Sequence, residues 1–154
     1  MPEESSQPTP LAQHLDEASL TAEIAKALRA TLFTSRLSVA PRRVNELAGQ
    51  MAHQFFAFYD GRDQAAALAC GSTLAREGIG ARSALEMTEA VRRTARQRSN
   101  PLVELPDIAG AFCNALLEGF MDAQAQMLLE VQERTHRAYL AALQHGAELT
   151  PWAA

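Results

Sequence analysis

The stretch EVQERTHRAYLAAL, Glu130 to Leu143, decides the fold. Its apolar residues recur every three or four positions, the spacing of one helix face. No glycine or proline interrupts it. Upstream, Pro106-Asp107 is a helix start, because proline fits the first turn. The expected helix therefore runs from about Pro106 to about His145. That is near 40 residues, or roughly 60 Å at 1.5 Å per residue. A domain of 154 residues is not that wide, so the end of this helix is expected to project or bend.

The two halves of this helix differ. Ile108, Phe112, Leu116, Phe120 and Ala123 make a broad stripe of the kind that packs into a core. From Met121 onward the stripe narrows. Met121, Gln124, Leu128, Val131, Thr135, Ala138 and Ala142 alternate in steps of three and four. That is the 3.5-residue period of a helix pair. Glu130, Glu133, Arg134 and Arg137 flank this seam, as charges flank such seams. Gln124 and Thr135 are polar and the alanines bury little area, so the seam predicts a modest association surface. The expected occupant is the same helix of a second copy, making a homodimer. The competing expectation is that the helix folds back on its own domain. Alanines also permit close antiparallel packing, so orientation stays open.

The rest of the chain is helical in vocabulary. Ala, Leu, Glu, Gln and Arg dominate, and aromatic residues are 6%. Residues 1–9 are polar and proline-rich, and are expected to be a disordered tail. Thr9-Pro10 is expected to cap a first helix carrying Leu11, Leu15, Leu20, Ile24, Leu28 and Leu32, divided near Ser19 or Thr21. A connection follows at 34–40. Pro41 opens the next helix, to about Tyr59, with Val44, Leu47, Met51, Phe55 and Phe58 on one face. Asp60-Gly61 is expected to end it, and Asp63 to cap a third helix that Gly78 terminates. That third helix is dense in small residues, from Ala65 to Gly71, so a neighbour can approach closely. A fourth runs from about Arg82 to Arg98, with Ala84, Met87, Thr88, Val91 and Ala95 inward. Asn100-Pro101 stops it. No strand pattern or internal repeat is present. The sequence thus predicts one all-α domain of five or six helices over 10–146, with a C-terminal tail at 147–154.

Charge and chemistry exclude several classes. Net charge is −4, so no global field attracts nucleic acid. No apolar stretch approaches the roughly 18–20 residues that a membrane span needs. The N-terminus is acidic and lacks the pattern of a signal peptide, which points to the cytoplasm. Cys70 and Cys113 sit in helical segments and are expected to be packed thiols. No phosphate loop, nucleophile elbow or C-x-x-C pair occurs, and no enzyme activity is expected. Glu133-x-x-His136 has the helical spacing of di-iron ligands, but such sites need a second motif and two more glutamates. His53 lies opposite the Val44/Leu47/Met51/Phe55 face and is expected in solvent, a poor place for a haem ligand. The fourth helix carries Arg82, Arg92, Arg93, Arg96 and Arg98, and Glu86 and Glu89 sit about a turn before Arg92 and Arg93, which predicts a salt-laced outer face. No aromatic residues lie among them to stack bases.

Several stretches resemble a known family. They are LFTSRL (Leu32–Leu37), the helix opening at Pro41 with Phe55 and Phe58, Gly71 with LAREG (Leu74–Gly78), ALLEGF (Ala115–Phe120) and QERT (Gln132–Thr135). They resemble the N-terminal sensory domains of RsbR/RsbRD-type bacterial regulators, co-antagonists of the stress sigma-factor pathway. The likeness covers about Leu20 to Leu143 and rests on packing and turn motifs. It implies a globin-like fold without haem, a dimer, and a C-terminal helix that passes a signal onward. Such domains are usually joined to a STAS, PAS or kinase module. This chain ends at Ala154, so the resemblance implies a separate output partner, or a chain that is a piece of a longer protein. The threonines phosphorylated in STAS modules have no counterpart here.

The function expected is therefore a non-enzymatic sensory or regulatory module, dimeric and acting through protein contacts. Phe55, Phe58, Phe112, Leu116 and Phe120 are its expected core or pocket. Met121, Leu128, Val131, Thr135, Ala138 and Ala142 are its expected dimer seam. No cofactor is expected. The alternative is a globin relative that holds a tetrapyrrole, haem or bilin.

Overall fold

A computed structural model describes residues 11–32, 40–99 and 102–149, with side chains to 146. The described residues form five α-helices and no strand: α1 (Glu17–Leu32), α2 (Pro41–Gly61), α3 (Gln64–Arg76), α4 (Ala81–Gln97) and α5 (Leu105–Leu149). The expected cap at Thr9-Pro10, the 1–9 tail, most of the 34–40 connection and the stop at Asn100-Pro101 lie outside the described residues. The chain is all-α, and its last helix is 45 residues long. At 1.5 Å per residue that is about 68 Å. It begins at Leu105, one residue before the expected start. It runs through three residues of the expected 147–154 tail.

The helices pack as a closed ring. α1 lies against α2 and α4, α4 against α5, α5 against α3, and α3 lightly against α2. α2 also reaches α5 across the middle. The inward faces are those the 3.6-residue period selects: Val44, Leu47, Met51, Phe55 and Phe58 on α2, and Ala84, Met87, Thr88, Val91 and Ala95 on α4 are all buried. Thr88 turns its hydroxyl onto the Leu85 carbonyl at 2.8 Å, so its burial leaves no polar group unmet. Thr31 of α1 and Ser83 of α4 share a buried hydrogen bond of 2.7 Å.

Helix ends follow local chemistry, with two departures from expectation. The N-terminal segment divides at Asp16, earlier than Ser19 or Thr21. Leu11–Leu15 makes a single turn with both leucines buried. Asp16 then accepts from the Ala18 amide at 3.3 Å and the Ser19 hydroxyl at 3.1 Å. A carboxylate accepts from free first-turn amides and also complements the helix dipole. At the end of α2, Gly61 stays helical and Arg62 takes the left-handed conformation, φ 52°. Its amide donates to the Phe58 carbonyl at 2.8 Å, and its guanidinium lies 5.2 Å over the Tyr59 ring. α3 closes as expected. Gly78, φ 88°, donates to the Ala75 carbonyl and Ile79 to the Leu74 carbonyl, with Leu74 and Ile79 both buried beneath.

Asp63 caps α3 by accepting from the Ala66 amide at 3.3 Å. An exposed cap of this type is worth about 1 kcal/mol. Asp63→Ala is accordingly expected to cost about 1 kcal/mol of stability, read as a lower urea midpoint with an unchanged slope. A changed slope would mean that α3 does more than end at this residue.

Candidate functional site

Two places carry the residues singled out from the sequence. The first is the crossing of α2 and α5. Phe55, Phe58, Phe112, Leu116 and Phe120 are all buried there or close by. The Phe112 ring lies 5.4 Å from Phe55 and 5.5 Å from Phe58, both tilted. These are the offset contacts that aromatic quadrupoles favour. The five side chains belong to one continuous hydrophobic core. They are core, and the Phe112 ring touches both α2 rings. His53 does not face them: its side chain is 73% exposed, and its Nδ1 is 3.3 Å from the Glu17 carboxylate.

The second place is the far half of α5. The last residue of this helix buried in the bundle is Ala123. From Gln124 to His145 every side chain is exposed except the partly covered Met127. The helix leaves its own domain and continues, and among the described residues nothing folds back on it. The expected seam residues Met121, Leu128, Val131, Thr135, Ala138 and Ala142 all lie on this exposed surface.

The apolar surface is wider than the expected seam. Leu128, Leu129, Val131, Tyr139, Leu140 and Leu143 are exposed by 46–60%. At 100° per residue they and the alanines Ala125, Ala138 and Ala142 span an arc of about 200°. Glu130, Glu133, Arg134 and Arg137 occupy the remainder. A strict two-residue heptad picks Ala138 and Ala142 but passes over Leu129, Tyr139, Leu140 and Leu143. The arc has the breadth of a core-facing helix, which adds flanking positions to the central pair. A shallow depression of about 380 Å³ over Val131, Gln132, Thr135, His136 and Tyr139 lies on it. Soluble proteins seldom leave contiguous apolar surface open without a use.

Other chemistry is sparse. An open groove of about 310 Å³ lies between α2 and α3, lined by Leu47, Gln50, Gln54 and Cys70 among others. The sequence does not point to it, because it is set by the light contact of two helices. Burial pushes the Cys70 thiol up to about 11, which leaves little thiolate near neutral pH. Cys113 is pushed up to about 12 by burial and donates to the Thr88 carbonyl at 3.4 Å. Glu133 and His136 stand exposed on the free helix, and no group of three potential metal ligands occurs among the described residues. On α4, Arg96 pairs with Glu89 at 2.9 Å, two turns away. Arg92 donates to Asn114 at 2.8 Å instead of meeting a glutamate one turn earlier. Arg43 joins α2 to the end of α3 through Glu77. Among the described residues no helix is long and apolar enough to cross a membrane.

No protein-family model, no curated protein and no solved structure matches the chain. The likeness to the RsbR/RsbRD-type domains rests on the quoted residues alone.

Proposed function

We propose that this protein is a cytoplasmic, non-enzymatic sensory or regulatory module that works as a homodimer, with the free half of α5 as its output arm. One observation carries this reading: a helix anchored in a packed domain projects more than 20 residues past it with six large apolar side chains uncovered. Helices in proteins draw most of their stability from packing an apolar face, and covering the arc of this segment would supply it. The partner of the arm beyond the second copy is a separate signalling protein such as a STAS, PAS or kinase module. That part comes from the family resemblance.

The mechanism follows from continuity. Phe112, Leu116 and Phe120 anchor the first half of α5 against α2 and α3. The same helix runs unbroken to Leu149. A ligand or partner that shifts this packing turns or tilts the whole rod, because a helix transmits rotation along its length. The shift is a two-state coupling, and it requires differential binding to the two states.

Light scattering of the full chain tests the dimer. The expected mass is twice the 16.7 kDa of one chain. The Leu128→Glu/Tyr139→Glu double variant is expected to run at the single mass while keeping its helical circular dichroism from the body. Equal masses for the two proteins would remove the support for an arm that pairs.

A further inference from the structure

We infer that the groove between α2 and α3 is a binding site for a small uncharged molecule with an apolar body and a hydrogen-bonding group. The site stands on its own geometry. Only the effect of its ligand on the long helix rests on the reading of α5 as an output arm.

The groove is built into the α2–α3 hairpin. Arg62 and Asp63 link the two helices at one end, and at the other Arg43 near the start of α2 meets Glu77 just past the end of α3. Both ends of the hairpin are therefore tied. Between them α3 lines the groove with Ala66, Ala69, Cys70 and Thr73, all of them small. Packed helices are held about 8–10 Å apart by their side chains, and these do not fill the gap. Moving α3 inward to fill it would give up the contact on its other side. A Cβ on Gly71 would lie 2.8 Å from the Phe120 amide nitrogen, so the backbones of α3 and α5 already touch there. The space that remains is about 310 Å³, at the lower end of the range for small-molecule sites.

The lining selects the class of ligand. Leu47 and Leu74 are buried and give the groove an apolar floor. Gln50 and Gln54 stand one turn apart on the α2 wall, and neither carboxamide has a hydrogen-bond partner among the described residues. Thr73 donates to the Ala69 carbonyl at 3.0 Å, which leaves its oxygen able to accept. None of the residues lining the groove is charged, and burial keeps the Cys70 thiol neutral. An ion entering here would lose water and gain no counter-charge. An uncharged molecule lays its body on the leucines and alanines and offers its polar group to the glutamines. Such a ligand touches α2 on one side and α3 on the other, and α3 carries any displacement to α5 through their backbone contact. That is the differential packing a two-state arm requires.

The test is fluorescence titration of the full chain with N-phenylnaphthylamine, an uncharged arene with a single N–H donor that brightens on leaving water. Saturable binding of one probe per chain is expected. Ala69 is exposed at the mouth of the groove, so Ala69→Phe fills the space without entering the core. It should weaken binding by about tenfold or more, because the ring and the probe compete for one volume. Gln54→Met keeps the side-chain length and loses the amide, and binding about fivefold weaker is expected for one lost hydrogen bond. The Leu128→Glu/Tyr139→Glu variant should bind as the parent does, because the groove lies in the body. The sulfonated form of the probe should bind about tenfold or more weakly, since its charge finds no partner. No saturable binding, undiminished binding by both groove variants, or loss of binding in the arm variant would overturn the inference. Tighter binding of the sulfonate would overturn the assignment to uncharged ligands. Binding as expected that leaves the dimer dissociation constant unchanged would sink the output-arm reading and leave the site standing.

Discussion

Gly71→Ala is expected to destabilise the protein by about 3 kcal/mol, at the upper end of what inserted core carbons cost. A Cβ built on Gly71 would lie 2.8 Å from the Phe120 amide nitrogen and closer still to the Leu116 carbonyl oxygen. These are backbone atoms of α5 and cannot swing aside. The contact is reciprocal, for a Cβ on Gly119 would meet the Leu68 carbonyl group of α3, 2.7 Å from its carbon. The two glycines let α3 and α5 touch backbone to backbone. Gly119→Ala should act like Gly71→Ala. Gly110 is also helical, and a Cβ there meets nothing within 4 Å. Gly110→Ala is therefore expected to raise stability by about 0.5–1 kcal/mol, the usual gain on replacing a helical glycine. Thermal unfolding at one fixed concentration reads all three, at about 2–4 °C per kcal/mol for a chain of this size. The concentration is held fixed because association with a second copy shifts the midpoint. If Gly71→Ala left the midpoint unchanged or raised it, as Gly110→Ala is expected to, the close approach of α3 and α5 would be wrong.

Phe112→Ala is expected to cost about 3–5 kcal/mol, the range for removing a buried phenylalanine ring. Phe112 is fully buried and joins both α2 phenylalanines to α5. Its loss leaves a cavity where the ring would be and frees the anchored half of the long helix. Phe112→Leu keeps most of the volume and should cost about half as much or less. Urea unfolding at fixed protein concentration separates the cases, since a pure stability change moves the midpoint and leaves the slope. Near-equal effects of the two substitutions would mean that the aromatic contacts are incidental. If the cluster couples to the arm, as the proposed mechanism requires, Phe112→Leu also alters the dimer dissociation constant although residue 112 is far from the arm.

Much of the bundle is legible in the sequence, for identifiable reasons. The period of 3.6 selects the buried faces of α2 and α4, because each faces the core along its whole length. Asp63 and Gly78 end segments through strong local chemistry, a short side-chain acceptor and a residue free to adopt positive φ. The alanine and glycine density of α3 announces a close neighbour, and α5 is that neighbour. Other features depend on tertiary contacts. Asp16 breaks the first segment because Leu11 and Leu15 turn inward, which spacing alone does not reveal. Arg62 adopts the left-handed turn beside a permissive Gly61, stabilised by its own contact with Tyr59. Arg92 reaches α5 in place of its own helix, because Asn114 stands opposite. On the free half of α5, a two-residue heptad narrows the seam to Leu128, Val131 and the alanines. Their exposure among the described residues brings Leu129, Tyr139, Leu140 and Leu143 into the same surface.

Amide hydrogen exchange across residues 127–143 tests the central claim most directly. A helix that pairs with a second copy is protected, and the protection rises with protein concentration. An exposed single helix opens locally and exchanges fast at any concentration. The buried residues of α5, Ala109 to Phe120, serve as the internal reference. The expected result is slow exchange in the arm at high concentration, fading on dilution while the reference stays protected. Rapid exchange throughout 127–143 at every concentration would contradict the account.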